Sequence, residues 1–402
     1  MTIRILLLSF YYPPDLSAGS FRAEALVKAL RSELGEKVDI EVVTTQPNRY
    51  HSYTTSAVSM EKSPLLIVRR VHIPAHRSGV RDQALSFTYF AFNALKITNN
   101  KKYDLIISTS SRLMTATLGA IISHRNNCAL YLDMRDIFVD TVRDMLPERW
   151  GKLAASIFSP IEKWTINSAA KVNLISPGFL PYFTTRYPGM DFTLYTNGVD
   201  DLFIKEAPPE EINSLRVSNS RLQVVYAGNI GTGQGLDQII PLLAQRLNDQ
   251  VEFHLIGAGG GLETLQTALK KANVMNVKIY PPMKRDELLS FYRDADILFL
   301  HLNNLKAFRR VLPSKLFEYA ATGKPIWGGL SGYPARFAKK RIKNTALFSP
   351  CDIDGAISAL QKLKLQNTSR LEFVQQFSRR TIKKKMAQEI LHITNKMLRS
   401  QN

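Results

Sequence analysis

Short apolar runs alternate with longer stretches in which apolar residues recur every three or four positions, almost from one end of the chain to the other. A run of strand length followed by an amphipathic helical stretch is the pattern of βαβ units, and it predicts mostly parallel sheets covered by helices. One series holds IRILLLSF, DIEVVTT, LLIVRRV, DLIISTS, ALYLDM and KVNLIS; a second holds LQVVYAG, VEFHLIG, VKIYPP and ADILFLHL. Each predicts a doubly wound α/β sheet. Between them, residues 201–220 contain Pro208 and Pro209, several acids and no long apolar run, which reads as a connection. The expected layout is a domain over 1–203, a linker over 204–220, a second domain over 221–368 and a closing basic helical segment over 369–402.

A length of 402 residues suits two such domains, and 45% apolar with 22% charged residues places the chain among globular proteins. Cys128 and Cys351 are the only cysteines and stand far apart, which argues against a disulfide framework or a zinc site and fits a reducing cytoplasm. The opening ILLLSFYY runs into Pro13 and Pro14 and reads as a strand rather than a signal peptide; no run is long enough to span a membrane.

Charge adds a second theme. The formal net charge is +19, and from Lys339 onward 14 Lys or Arg face 4 Asp or Glu, with the runs KKRIK and RRTIKKK. Such a balance favours an anionic surface, phospholipid or nucleic acid, with a solvated basic face as the plain alternative. No helix-turn-helix, zinc-finger or RNA-binding signature is present, so no specific nucleic-acid partner is expected, and a basic nucleic-acid-binding protein stands only as an alternative of another class. Two segments place aromatic side chains beside basic ones: Phe87, Tyr89, Phe90, Phe92 and Leu95 in one, and Trp150, Phe158 and Trp164 with Lys152 and Lys163 in the other. Core packing and an interfacial membrane helix both fit them.

Candidate chemistry falls where strands end. GNIGTGQGLDQII follows LQVVYA and sets Gly228, Gly231, Gly233 and Gly235 before a helix; it fits neither the dinucleotide spacing nor the P-loop, and reads as a phosphate-facing loop or a tight turn. LIGAGGGLETLQ repeats the arrangement at Gly257, Gly259, Gly260 and Gly261. In FRRVLPSKLFEYAATGKPIWGG, Pro313 and Ser314 open a helix carrying Lys315 and Glu318, three apart and on one face. A cation near a helix N-terminus can hold a diphosphate and a carboxylate one turn later can accept two ribose hydroxyls; an i,i+3 ion pair is the alternative. LYLDMRDIFVD puts Asp133, Arg135 and Asp136 at or beyond a strand's carboxyl end, as cleft residues or a local salt bridge. Asp294 and Asp296 form a D-x-D pattern better suited to capping than to metal.

The string PSKLFEYAATGKPI resembles the donor-binding signature of family 4 glycosyltransferases, especially bacterial enzymes of O-antigen and capsule assembly, including the L-fucosamine transferase-like subgroup. The likeness extends through SFYYPPDLSAGSFRAEALVKAL, DLIISTSSRLMTA, LYLDMRDIFVD, IEKWTINSAAKVNLISPGF, TNGVD, YAGNIGTGQGLD and RDADILFLHL, nearly the whole chain. It implies the GT-B fold, two Rossmann-like domains facing across a cleft, with acceptor mainly on the first and nucleotide sugar mainly on the second, and transfer with retention and without a cofactor or metal. On that mapping Glu318 binds the ribose. Ser314, Lys315 and the loop with Gly228, Asn229, Gly231, Gln234 and Gly235 meet the diphosphate, and Gly19 approaches donor phosphate or acceptor. Asp136 serves the acceptor hydroxyl or the developing charge at the anomeric carbon, and Arg135 the leaving phosphate.

Three positions depart from the family. Asn229 and Gln234 stand where many members carry Arg and Lys, and Arg310 replaces the first of two glutamates eight residues apart. Diphosphate charge then falls to Lys315, Arg309 and Arg310. The implied donor is a UDP-sugar, with UDP-N-acetyl amino sugars preferred. The implied acceptor is an undecaprenyl-diphosphate-linked saccharide at an anionic membrane, on the inner face of the cytoplasmic membrane. A nucleotide-sugar epimerase of the same fold is the second enzyme reading.

Overall fold

The computed structural model describes residues 2–48, 57–74, 80–110, 112–205, 208 and 221–401. It divides into two units, residues 1–196 with 380–402, and residues 197–379.

In the first unit the apolar runs form β1 (Ile3–Leu8), β2 (Val38–Thr45), β3 (Met60–Ser63), β4 (Leu66–Val71), β5 (Leu105–Ser110), β6 (Ala129–Met134), β7 (Lys171–Leu174) and β8 (Phe192–Thr193). Their order is β3-β4-β2-β1-β5-β6-β7-β8, with every pair parallel except β3 against β4. Ile5 sits between Ile40 and Leu105 in register. Leu6, Leu7, Ile106, Ile107 and Leu132 are fully buried, because helices cover both faces and the central strands need apolar side chains on each.

The second unit holds β9 (Leu222–Ala227), β10 (Val251–Ile256), β11 (Val277–Tyr280), β12 (Ile297–His301), β13 (Ile326–Gly329) and β14 (Thr345–Phe348). All are parallel, in the order β11-β10-β9-β12-β13-β14, which is the Rossmann order. One face packs Leu298, Leu300, Leu316, Phe317 and Tyr319; the other packs Val224, Phe253, Phe299 and Trp327. Trp327 also donates its indole N–H to the Ala356 carbonyl at 2.9 Å. Four strands escape the apolar pattern: β3 is exposed throughout, β8 has two residues, β13 ends in two glycines and β14 has four residues.

The domain boundaries need correction. Val199 and Phe203 are buried in the second unit's core, so the chain changes unit between Thr196 and Asn197 rather than after Phe203. The closing segment is not independent either. Phe373 and Val374 pack into the second core, whereas Met386, Ala387 and Ile390 of the Arg379–Gln401 helix pack into the first. Of the 204–220 linker only Ile204, Lys205 and Pro208 lie within the described residues. No helix among the described residues is long and apolar enough to cross a membrane.

Candidate active site

In the second sheet the strand order reverses between β9 and β12, and in an open parallel sheet ligands bind beyond the carboxyl ends at that point. The glycine loop leaves β9 there and residues 302–313 leave β12. The two segments are joined: Asn303 N–H donates to the Gly233 carbonyl at 2.9 Å and its side-chain amide to the Thr232 carbonyl at 2.7 Å. The second glycine loop lies beneath. A Cβ on Gly257 would fall 1.8 Å from the Gly228 carbonyl oxygen, so the two backbones touch.

The Ser314–Ala321 helix buries Leu316, Phe317, Tyr319 and Ala320, which turns Lys315 and Glu318 to the opposite face. Tyr319 anchors it by accepting the Ala227 N–H at the end of β9, 3.1 Å away. Its N-terminus has no side-chain cap and no acidic residue in the first turn, leaving the positive end of the helix open to an anion. Lys315 reaches back over the glycine loop. Its Nζ lies 5.5 Å from the Tyr226 ring centroid and 1.8 Å from where a Cβ on Gly228 would be. Gly228 has φ of +144°, so both its backbone and its missing side chain are required.

Glu318 makes no hydrogen bond or ion pair among the described residues, and the i,i+3 pair with Lys315 is not formed. A half-buried carboxylate left open beside an ammonium is an acceptor set waiting for donors, as ribose hydroxyls would be.

Asn229 and Gln234 brace the loop: Asn229 Nδ2 donates to Gln234 Oε1 at 2.8 Å, and the same oxygen accepts Gly231 N–H at 3.1 Å. Gly228 and Ile230 N–H are spent on the Ile256 and Ala258 carbonyls. The amides of Thr232, Gly233 and Gly235 have no partner among the described residues and are the ones open to a phosphate. Gly231 and Gln234 therefore shape the loop. Arg309 is exposed and donates to Asn304 Oδ1 at 3.0 Å, while Arg310 is half-buried just ahead of the helix; Ser314 is its first residue.

Sequence reasoning missed His301. It is fully buried at the end of β12, its Nδ1–H donating to the Gln234 carbonyl at 2.6 Å and its Nε2 accepting the Cys351 N–H at 3.0 Å. Burial lowers its pKa, so the ring is a neutral brace between the glycine loop and the turn after β14. The signal was a polar residue inside the apolar run ADILFLHL.

In the first unit the switch lies between β1 and β5. Gly19, in the first turn of the Ala18–Leu34 helix, has the Arg135 guanidinium directly over it: a Cβ there would be 2.0 Å from Nη1. Arg135 and Asp136 are half-buried just past β6, with Arg135 N–H held by the Ser110 carbonyl at 3.0 Å. Asp133 is structural. It is fully buried and binds Arg22 through two bonds of 2.6 and 2.7 Å and Asn173 through one of 2.7 Å. Burial alone would raise its pKa, but the Arg22 charge and hydrogen bonds hold it well below the carboxylate range. Arg22 also donates to the Tyr195 and Thr196 carbonyls, so it fastens helix, sheet and chain exit together.

Other candidates resolve into structural roles. Asp296 accepts Gln223 N–H at 2.6 Å at the amino end of β12, away from the site. Asp200 of TNGVD accepts Leu202 N–H and binds Arg285 and Arg379 at 2.7 and 2.6 Å. Lys339 and Lys343 of KKRIK line a separate groove of about 590 Å³ with Lys362 and Lys364, beside the edge strand β14.

Two solved structures share this architecture. Sucrose-phosphate synthase from Thermosynechococcus elongatus superposes with a TM-score of 0.67 at 14% identity, over 99% of this chain and 98% of that one. HepE from Anabaena, in complex with UDP-glucose, gives 0.63 at 15% identity over 97% and 99%. Residues 209–383 match the family model described as glycosyl transferases group 1. The chain is thus a glycosyltransferase of GT-B architecture, similar over residues 209–383 to the group 1 glycosyl transferases. In sequence it is similar to the putative colanic acid biosynthesis glycosyl transferase WcaI of Escherichia coli K12, 23% identical over 340 residues that span 80% of this chain and 82% of WcaI.

Proposed function

We propose that this enzyme transfers a sugar, with retention, from a UDP-sugar donor to a lipid-diphosphate-linked saccharide during assembly of a bacterial surface polysaccharide. The observation that carries the donor side is the Glu318 carboxylate, without a partner among the described residues and one helical turn from Lys315, at the switch point of the second sheet. In this reading Glu318 accepts the two ribose hydroxyls. Lys315 and the open amides of Thr232, Gly233 and Gly235 receive the charge that grows on the diphosphate as the anomeric C–O bond breaks. The acceptor oxygen bonds to the anomeric carbon as the carbon–oxygen bond to the diphosphate breaks, and its proton passes to the departing diphosphate oxygen, with Asp136 orienting that hydroxyl and Arg135 offsetting the charge of the leaving phosphate. Charge stabilisation by side chains and amides suffices, and no cofactor or metal enters. HepE, solved with UDP-glucose, and WcaI, named for colanic acid biosynthesis, support the donor class and the biosynthetic setting. The lipid-linked acceptor places the enzyme in the cytoplasm, at the inner face of the cytoplasmic membrane.

The test is a transfer assay with a panel of nucleotide sugars and a lipid-diphosphate saccharide, reading product mass and anomeric configuration. A product with the donor's configuration is expected, with Glu318→Gln weakening donor affinity more than tenfold, about 1.4 kcal/mol. Its melting temperature should be unchanged, since the carboxylate makes no hydrogen bond or ion pair among the described residues. Absence of product from every donor, or interconversion of the donor sugar without acceptor as an epimerase would give, overturns the reading.

A further inference from the structure

The Glu148–Asn167 helix has three distinct faces. Successive residues turn by about 100°, which gathers Gly151, Phe158, Glu162 and Thr165 on one side. That side is packed: Phe158 lies edge-on to Phe138, Thr165 bonds Thr117 at 2.9 Å, and Glu162 accepts Tyr182 and Tyr187. About a third of a turn away stand Trp150, Leu153, Ile157 and Trp164, exposed by 66%, 51%, 55% and 43%. The remaining face carries Arg149, Lys152 and Lys163.

The Val80–Thr98 helix repeats the arrangement. Ser86, Phe90 and Ala94 are buried, while Leu85, Tyr89 and Phe92, at i, i+4 and i+7, point the other way at 52%, 48% and 69% exposure. Lys96 continues that stripe. Both helices pack against the Leu113–Asn126 helix and so share one side of the first sheet. The aromatic segments noted in the sequence are thereby sorted. Phe87, Phe90 and Phe158 pack inward, Trp164 stacks one side of its ring on His124 and leaves the rest exposed, and Tyr89, Phe92 and Trp150 do not pack inward.

We propose that these two stripes are a membrane-docking face, entering the headgroup–acyl boundary of an anionic bilayer while Arg149 and Lys163 meet lipid phosphates. Charge selects the partner. Arg149 and Lys163 have no carboxylate partner among the described residues, Glu148 is already paired with Lys152 at 2.7 Å, and Glu162 is buried. Apolar stripes raised on helices and flanked by cations match a lipid interface. The face agrees with a lipid-linked acceptor but rests on these residues alone, so its test uses no sugar donor.

The full chain is mixed with vesicles of phosphatidylglycerol and phosphatidylcholine, or of phosphatidylcholine alone, at low and high salt. Binding is expected to the first kind and to weaken with salt. Of the three tryptophans Trp327 is fully buried, so quenching by brominated lipid reports Trp150 and Trp164. Trp150→Ser with Ile157→Ser should lower partitioning at least tenfold, and Arg149→Glu with Lys163→Glu should remove the salt dependence; all four positions are exposed, so UDP affinity and melting temperature stay constant. No binding to anionic vesicles at low salt, unquenched tryptophans, or a concentration-dependent dimer broken by the same substitutions would overturn the proposal; the last would give the face to a second copy.

Discussion

A methyl group on Gly228 tests whether Lys315 is held where a donor phosphate would need it. The added Cβ would fall 1.8 Å from Lys315 Nζ and 2.3 Å from Cε, so the ammonium must leave its place over the glycine loop. A charge-assisted contact of this kind is worth about 1.5–3 kcal/mol, so Gly228→Ala and Lys315→Ala should each weaken binding of UDP or the UDP-sugar by about 10- to 150-fold. Because both remove the same interaction, the double variant should be no worse than Lys315→Ala, a strongly non-additive cycle. The φ of +144° at Gly228 adds strain of about 1–3 kcal/mol that falls on stability instead. The two effects separate by experiment: isothermal titration with UDP reads the first and thermal unfolding the second. If Gly228→Ala binds UDP as the parent does, or if the two losses add in full, Lys315 does not hold the diphosphate from this position.

Asp133→Asn removes the charge facing Arg22, both side chains being nearly inaccessible, and breaking a buried pair costs about 3–5 kcal/mol. At about 2–4 °C per kcal/mol for a unit of this size, the first unit's melting temperature should fall by about 6–20 °C in calorimetry; a fall under about 2 °C would refute the assignment. Because the Asp133 pKa is depressed in the fold, its stabilisation is present above the ordinary carboxylate value near 3.9 and is lost as pH falls through the lower folded value. Glu162 has the opposite sign. Burial, reinforced by Asp140, raises its pKa against the hydrogen bonds from Tyr187 and Tyr182, so its contribution is full below the ordinary carboxylate value and fades as pH rises through the raised one. Glu162→Gln should therefore flatten the loss of stability as pH rises above the ordinary carboxylate value in urea unfolding; an unchanged slope would place the titration elsewhere.

What the sequence determined by itself was local. Apolar runs such as IRILLL and ILFLH, spaced by amphipathic stretches, carry two parallel sheets, because strand and helix periodicities are set by neighbouring residues. Helical spacing likewise put Lys315 and Glu318 on one face, and strand–glycine–helix order put the loops at the carboxyl ends. Whether the two side chains pair with each other was decided only in three dimensions, where Lys315 settles over Gly228 and Tyr226 and leaves Glu318 open. Arg22 and Asp133, 111 residues apart, His301 between Gln234 and Cys351, and the return of Met386 and Ile390 to the first core belong to the same class. So does the sorting of one aromatic segment into buried Phe90 and exposed Phe92. Periodicity fixes which way a side chain points along its own element, but the partner it meets depends on packing between elements distant in sequence, and that is a property of the tertiary fold.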